Sequence, residues 1–203
     1  LSRINSQIPN YGGAVMHVFI SKLMLVLLVA ASLTAGTKAL ANTYVIVGNE
    51  EMYPTKNIVE NAVNSEDHTT LVAAVKAAGL ADTLAGPGPF TVFAPTNDAF
   101  ENLPDGTVET LLKPENKEQL TNVLTYHVVP GVYTHDTLVE MIRESGGTAE
   151  LKTVNGGTLV AWMNGPVNIM LKDENGNYAD ITTYDVTQSN GVIHVIDTVV
   201  LPK

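Results

Sequence analysis

Apolar residues recur at helical spacing through the first half of the chain and change to alternation in the second. Ile58, Val59, Ala62 and Val63 predict one short amphipathic helix after a lead over residues 42–55. Leu71, Val72, Val75 and Ala78 predict another, opened by Thr69-Thr70 and closed by Gly79. Gly86-Pro87-Gly88-Pro89 then breaks the pattern, and the compact apolar run from Phe90 to Ala94 reads as a buried strand. Thr96, Asn97 and Asp98 are all capping types, so a helix is expected to start there and carry Phe100 toward the core. Another should follow Pro104. A longer helix opens near Pro114 and places Leu120, Val123, Leu124 and His127 on one face. The last helix starts near Asp136, uses Leu138, Val139, Met141 and Ile142, and stops at Gly146-Gly147.

From Ala149 onward the period is that of strands, with Asn155-Gly156 and Asn175-Gly176 as hairpin turns. Val167, Ile169 and Leu171 alternate with polar neighbours. Val192 to Leu201 is apolar on both parities, which predicts a central strand covered on both faces. Helices first and strands later define an α+β class.

The run Leu23 to Leu33 stands apart from both patterns. It follows Met16, His17 and Lys22, precedes the small-x-small triplet Ala39-Leu40-Ala41, and is shorter than the roughly 20 apolar residues that span a bilayer. Residues 16–41 therefore read as a secretory signal peptide rather than a retained anchor, with no integral membrane anchor after cleavage. Residues 1–15 read as an over-extended leader. The segment through Ala41 carries Arg3, Lys22, Lys38 and no acid, so its removal leaves 21 acidic against 8 basic residues, a formal charge of −13. Such a balance disfavours nucleic acid and anionic lipid as partners. The chain has no cysteine, which excludes a disulfide scaffold, a thiolate nucleophile, a thiolate zinc site and a lipid-modified N-terminal cysteine.

Three short motifs stand in order along the chain. The first is Thr91-Val92-Phe93-Ala94-Pro95-Thr96-Asn97-Asp98-Ala99-Phe100. The second is the pair Tyr126-His127. The third runs Gly191-Val192-Ile193-His194-Val195-Ile196-Asp197 and on to Leu201-Pro202. In type, order and spacing these resemble the fasciclin-domain family, most closely its small secreted single-domain bacterial members, and the resemblance spans residues 56–203. It implies a wedge-shaped β-sandwich with several short helices packed on it, a surface or matrix location, and adhesion rather than a reaction.

Candidate chemistry does not strengthen an enzymatic reading. His127 shares a helical stripe with Leu120 and Val123, and His194 alternates with Val192 and Ile196, so both are expected to be satisfied core histidines. Tyr126 is open to two readings, because the resemblance also allows the Tyr126-His127 pair to be an adhesive epitope. Asn97 and Asp98 are expected to cap the helix they open, and Asp197 to fix a turn or strand end. Asp173, Asn175 and Asn177 imitate a calcium loop, but Tyr178 and Tyr184 occupy positions that need glycine and glutamate. No nucleophile elbow, phosphate loop or zinc-protease helix occurs.

The expected protein has no cofactor, no metal and no catalytic residue. It is exported to the periplasm, cell surface or extracellular space, where it binds a protein, glycan or cell-surface component. A cleft between apolar helices and a sheet gives the alternative, a carrier of a small apolar ligand. Export should remove residues through Ala41, which the intact mass of the exported protein reads directly. A species that keeps Leu23 to Leu33 and partitions into detergent contradicts this processing.

Overall fold

The computed structural model describes residues 44–203; the signal-peptide and leader assignments lie outside these residues. A small hairpin, β1 (Val45–Val47) and β2 (Glu50–Met52), leads into five helices interrupted by one strand: α1 (Ile58–Ala62), α2 (Thr69–Ala78), α3 (Ala81–Ala85), then β3 (Phe90–Pro95), then α4 (Asn97–Glu101) and α5 (Thr107–Leu111). Next come α6 (Lys117–Tyr126), β4 (Val128–Pro130) and α7 (His135–Glu144). Five strands close the chain: β5 (Thr148–Lys152), β6 (Thr158–Asn164), β7 (Asn168–Lys172), β8 (Tyr178–Gln188) and β9 (Gly191–Ile196).

Local sequence accounts for the helix ends. Asn57 and Glu60 form a reciprocal capping box on α1, the Thr96 hydroxyl accepts from Ala99 N–H at the start of α4, and the Thr134 hydroxyl accepts from Thr137 N–H at the start of α7. Gly79 ends α2 at φ 74°, a left-handed conformation that costs glycine nothing. The proline at residue 114 opens a single 3-10 turn, and α6 follows it.

Seven strands form one sheet in the order β4-β3-β9-β8-β7-β6-β5. The first and third motifs lie side by side within it, because β3 pairs with β9 in parallel register from Phe90↔Gly191 to Pro95↔Ile196. Gly191 is required at that junction: a Cβ there would collide with the Phe90 carbonyl. The register of β8 against β9 shifts twice, between Ile181 and Val186, and Asp185 sits at φ 56° in that stretch. These irregularities bend β8, so its first half continues into the β7-β6-β5 sheet while its second half belongs with β9 and β3. The sheet thus folds over itself into a wedge, with β4 returning beside the β5 hairpin through Val154 N–H to the Val128 carbonyl at 2.8 Å.

Alternation along the strands divides the core in two. Phe93, Ile196, Leu159, Ile169 and Leu171 point inward between the halves of the wedge, while Val92, Ala94, Ile193 and Val195 point to the opposite face and meet α2 and α6. Strand β9 is covered on both faces, as its double parity predicts, but it ends at Ile196; Val199 and Val200 continue in irregular backbone and are still buried. Val167 lies outside β7 in the preceding turn and is 60 % exposed, so the alternation there begins at Ile169. Leu171 is fully enclosed, and Leu171→Ala should cost about 2–5 kcal/mol. Urea unfolding should show this as a lower midpoint with an unchanged slope.

Candidate functional site

The three motifs contribute buried polar side chains that hydrogen-bond to the backbone of neighbouring segments. His127 follows α6 as its C-terminal cap and is 3 % exposed. Its Nδ1 donates to the Val123 carbonyl at 2.8 Å, and its Nε2 accepts from Val200 N–H at 3.3 Å. That partnership fixes a neutral ring with its proton on Nδ1. Burial lowers its pKa to about 4, against weaker upward pulls from the Val123 carbonyl and Asp173.

Tyr126 is wholly buried beside it. Its hydroxyl donates to the Thr158 carbonyl at 2.8 Å and accepts from Glu174 N–H at 3.1 Å, tying together the β5-β6 and β7-β8 turns. Desolvation pushes its pKa up to about 12. Gly157 is small because the Tyr126 ring lies over it, with Cε2 only 2.7 Å from where a Cβ would stand. The pair therefore offers no epitope at the surface in this conformation.

His194 is the counterpart on β9. Its Nε2 donates to the Tyr133 carbonyl at 2.7 Å, its Nδ1 accepts from Asp185 N–H at 3.3 Å, and its ring stacks on Phe93 at 5.6 Å. Burial lowers its pKa as well. Thr91, also fully buried, donates its hydroxyl to the Gly131 carbonyl at 2.8 Å and receives Tyr133 N–H at 2.9 Å. Thus Thr91 and His194 fasten the loop after β4 to the two central strands.

The remaining motif residues are mostly structural in place. Ala94, Pro95, Ala99 and Phe100 are buried, and Val192, Ile193, Val195 and Ile196 fill both faces of β9. Asn97 does not cap α4, a task that falls to Thr96. Its side-chain oxygen accepts from Thr70 N–H at 3.0 Å and from the Thr69 hydroxyl at 3.1 Å, and its amide donates to the Glu66 carbonyl at 2.8 Å, so it holds the start of α2. Asp98 is exposed in the first turn of α4. Asp197 is exposed too, and it fixes a strand end by accepting from Asp180 N–H at 2.9 Å.

Sequence reasoning reads Asp173 as part of a turn but misses its bond to Leu201, and it misses Asn190 altogether. Asp173 is 4 % exposed, and its carboxylate accepts from Asn175 N–H, Asn177 N–H, the Asn177 amide and Leu201 N–H at 2.8 to 3.0 Å. The calcium-like spacing is thus a turn whose carboxylate is filled by N–H donors. Asn190 joins three segments by donating to the carbonyls of Leu84 and Gly86, both at 2.8 Å, and accepting from Ile58 N–H at 3.0 Å. Its Asn-Gly dipeptide is a turn signal that could have drawn attention to it. Among the described residues no cluster of histidine and carboxylate side chains is arranged to hold a metal, and no helix is long and apolar enough to cross a membrane.

Because His127 binds a proton far less readily folded than unfolded, the unfolded chain takes up protons first. Stability is complete above about pH 6.5 and falls as the pH drops toward 4, by about 3 kcal/mol from His127 alone. Melting midpoints measured from pH 7 to 5 should decline, and His127→Gln should flatten that slope. His127→Ala should cost about 1–3 kcal/mol at neutral pH, through a cavity and an orphaned Val200 N–H.

The comparisons with known proteins agree with this geometry. The fasciclin domain model matches residues 66–202. Protein sll1483 of Synechocystis is 51% identical over 146 residues, covering 71% of this chain and 73% of its own. Protein sll1735 of the same organism is 42% identical over 145 residues, covering 71% of this chain and 97% of its own. A solved FAS1 domain pair from the insect cell adhesion molecule fasciclin I superposes with a TM-score of 0.66 over 79% of this chain and 58% of that one, at 18% identity, a likeness of fold alone. The chain belongs to the fasciclin domain family.

Proposed function

We propose that the protein works outside the cytoplasm as an adhesive interaction module and not as an enzyme. The observation that carries this reading is the inaccessibility of the motif chemistry: Tyr126, His127 and His194 are buried with their polar atoms already bonded to backbone. A general base or nucleophile must come within hydrogen-bond reach of a substrate, and these groups face only the protein. Export rests on the pattern of residues 16–41, and a single-domain extent over 56–203 rests on the motif spacing.

What the fold presents to a partner is surface. On the outer face of β6 to β8, Trp162 meets Tyr178 edge to face at 5.3 Å, and the Lys172 ammonium lies 5.8 Å from the centre of the Tyr178 ring. Tyr178 is 51% exposed. Tryptophan and tyrosine dominate binding energy where proteins meet partners. The partner is a protein, glycan or other component of the matrix or of a neighbouring cell.

Beads coated with the full chain should attach to cells of the source organism well above beads coated with albumin. Trp162→Ala with Tyr178→Ala should lower attachment several-fold while leaving the melting midpoint within a degree or two. His127→Gln, assayed below its own melting point, should attach like the parent. Attachment no better than albumin overturns the adhesive reading.

A further inference from the structure

Four asparagine-glycine pairs occur in the chain: Asn155-Gly156, Asn164-Gly165, Asn175-Gly176 and Asn190-Gly191. Such a pair is chemically exposed, because glycine has no side chain to hinder its backbone nitrogen from reaching the amide carbon of the asparagine before it. Attack there closes a cyclic imide and expels ammonia. The reaction needs a glycine N–H that is not already donating and an asparagine amide that is free to turn.

Three of the pairs withhold these conditions. Gly156 N–H donates to the Thr153 carbonyl at 2.9 Å, while Asn155 Oδ1 accepts from Gly157 N–H at 3.0 Å and its amide donates to Asn122 Oδ1 at 3.0 Å. Gly176 N–H donates to the Asp173 carbonyl at 3.1 Å, and the Asn175 amide donates to the carbonyls of Leu201 and Pro202 at 2.8 and 3.1 Å. Asn190 is held by its bonds to Leu84, Gly86 and Ile58, and Gly191 is wedged against Phe90 in the parallel pairing.

Asn164-Gly165 differs from all of these. It stands at the tip of the β6-β7 hairpin, where Asn164 pairs with Asn168, and every residue from 164 to 168 is exposed. Among the described residues Gly165 N–H has no hydrogen-bond partner. A Cβ on Gly165 would meet nothing within 4 Å, so the space around it is open. The Asn164 amide makes one contact, to Asp180 Oδ1 at 3.4 Å, which is beyond the usual length of an N–H···O bond.

We propose that Asn164 is a self-modification site. The Gly165 nitrogen forms a bond to Asn164 Cγ, the Cγ–Nδ2 bond breaks, and the amide nitrogen leaves as ammonia with the proton that Gly165 gives up. Water then opens the cyclic imide at either carbonyl, to give aspartate or isoaspartate. Both products set a new carboxylate near Asp180, and isoaspartate also lengthens the backbone by one methylene beside the Asn164↔Asn168 pair. The same turn offers its Val167 carbonyl to His135 Nε2 at 2.8 Å, so the change reaches the start of α7. None of this chemistry depends on what the outer sheet face binds.

The full chain, folded and in parallel unfolded in urea, is kept at body temperature in mildly alkaline buffer, and conversion at each asparagine-glycine pair is followed by peptide mass. Hydrolysis adds one mass unit, and labelling with an isoaspartyl methyltransferase marks the isoaspartate share. In the folded chain Asn164 should convert about tenfold faster than Asn155, Asn175 or Asn190, each of which must first give up at least one hydrogen bond. Unfolding should bring the four rates together, and Asn164→Gln should leave its peptide unchanged in mass. Equal rates in the folded chain, or faster conversion at one of the other three pairs, overturns the proposal. A preference for Asn164 that survives unchanged in urea overturns it too, because local sequence and not the fold would then set the rate.

Discussion

The fold depends on bringing two strands from distant parts of the chain into parallel contact at the centre of one sheet. β3 and β9 share six residue pairs, and each supplies side chains to both layers of the core. Parallel neighbours cannot be joined by a tight turn, so everything between them in sequence serves as one long crossover. α4 to α7 cover the strands or their ends, and β5 to β8 build the second half of the wedge. The buried histidines stand where this crossover must be pinned: His194 holds the loop beyond β4, and His127 holds the backbone that leaves β9.

Burying neutral imidazoles is an economical way to make such links. Each ring offers one donor and one acceptor on opposite sides, and here each spans two backbone segments. A carboxylate can do similar work only where N–H donors surround it, as they do Asp173. The difference shows in acid, where rings that must stay neutral become a liability. The family motif is therefore a description of joints, and its residues are spread over the sequence because the joints lie between elements.

Much of this architecture is legible in the amino-acid pattern. Helical periodicity finds α1, α2, α6 and α7, the Gly-Pro break locates the start of β3, and the double parity of Val192 to Ile196 marks the central strand. Burial of His127 and His194 follows from their apolar neighbours. What the pattern hides is short or long-range. The hairpin β1-β2 and strand β4 have elements of three residues each, too few for a period to register. Local sequence makes Asn97 a cap for its own helix, yet its partners lie at the start of α2 and just before it. His68 sits in a one-turn 3-10 segment, where neither helix nor strand periodicity predicts a face. Asp173, Asn190 and Asp185 each bond to residues far away in sequence, and such contacts leave no trace in spacing.

The parallel pairing of β3 and β9 also bears on how the chain reaches its native state. Their partners are about a hundred residues apart, and pairings so distant raise contact order and slow folding. β9 follows every other described strand, so a polypeptide emerging N-terminus first cannot complete either core layer until its final strand is free. A nascent chain of this topology stays open until β9 has emerged, and both core layers close together on its arrival.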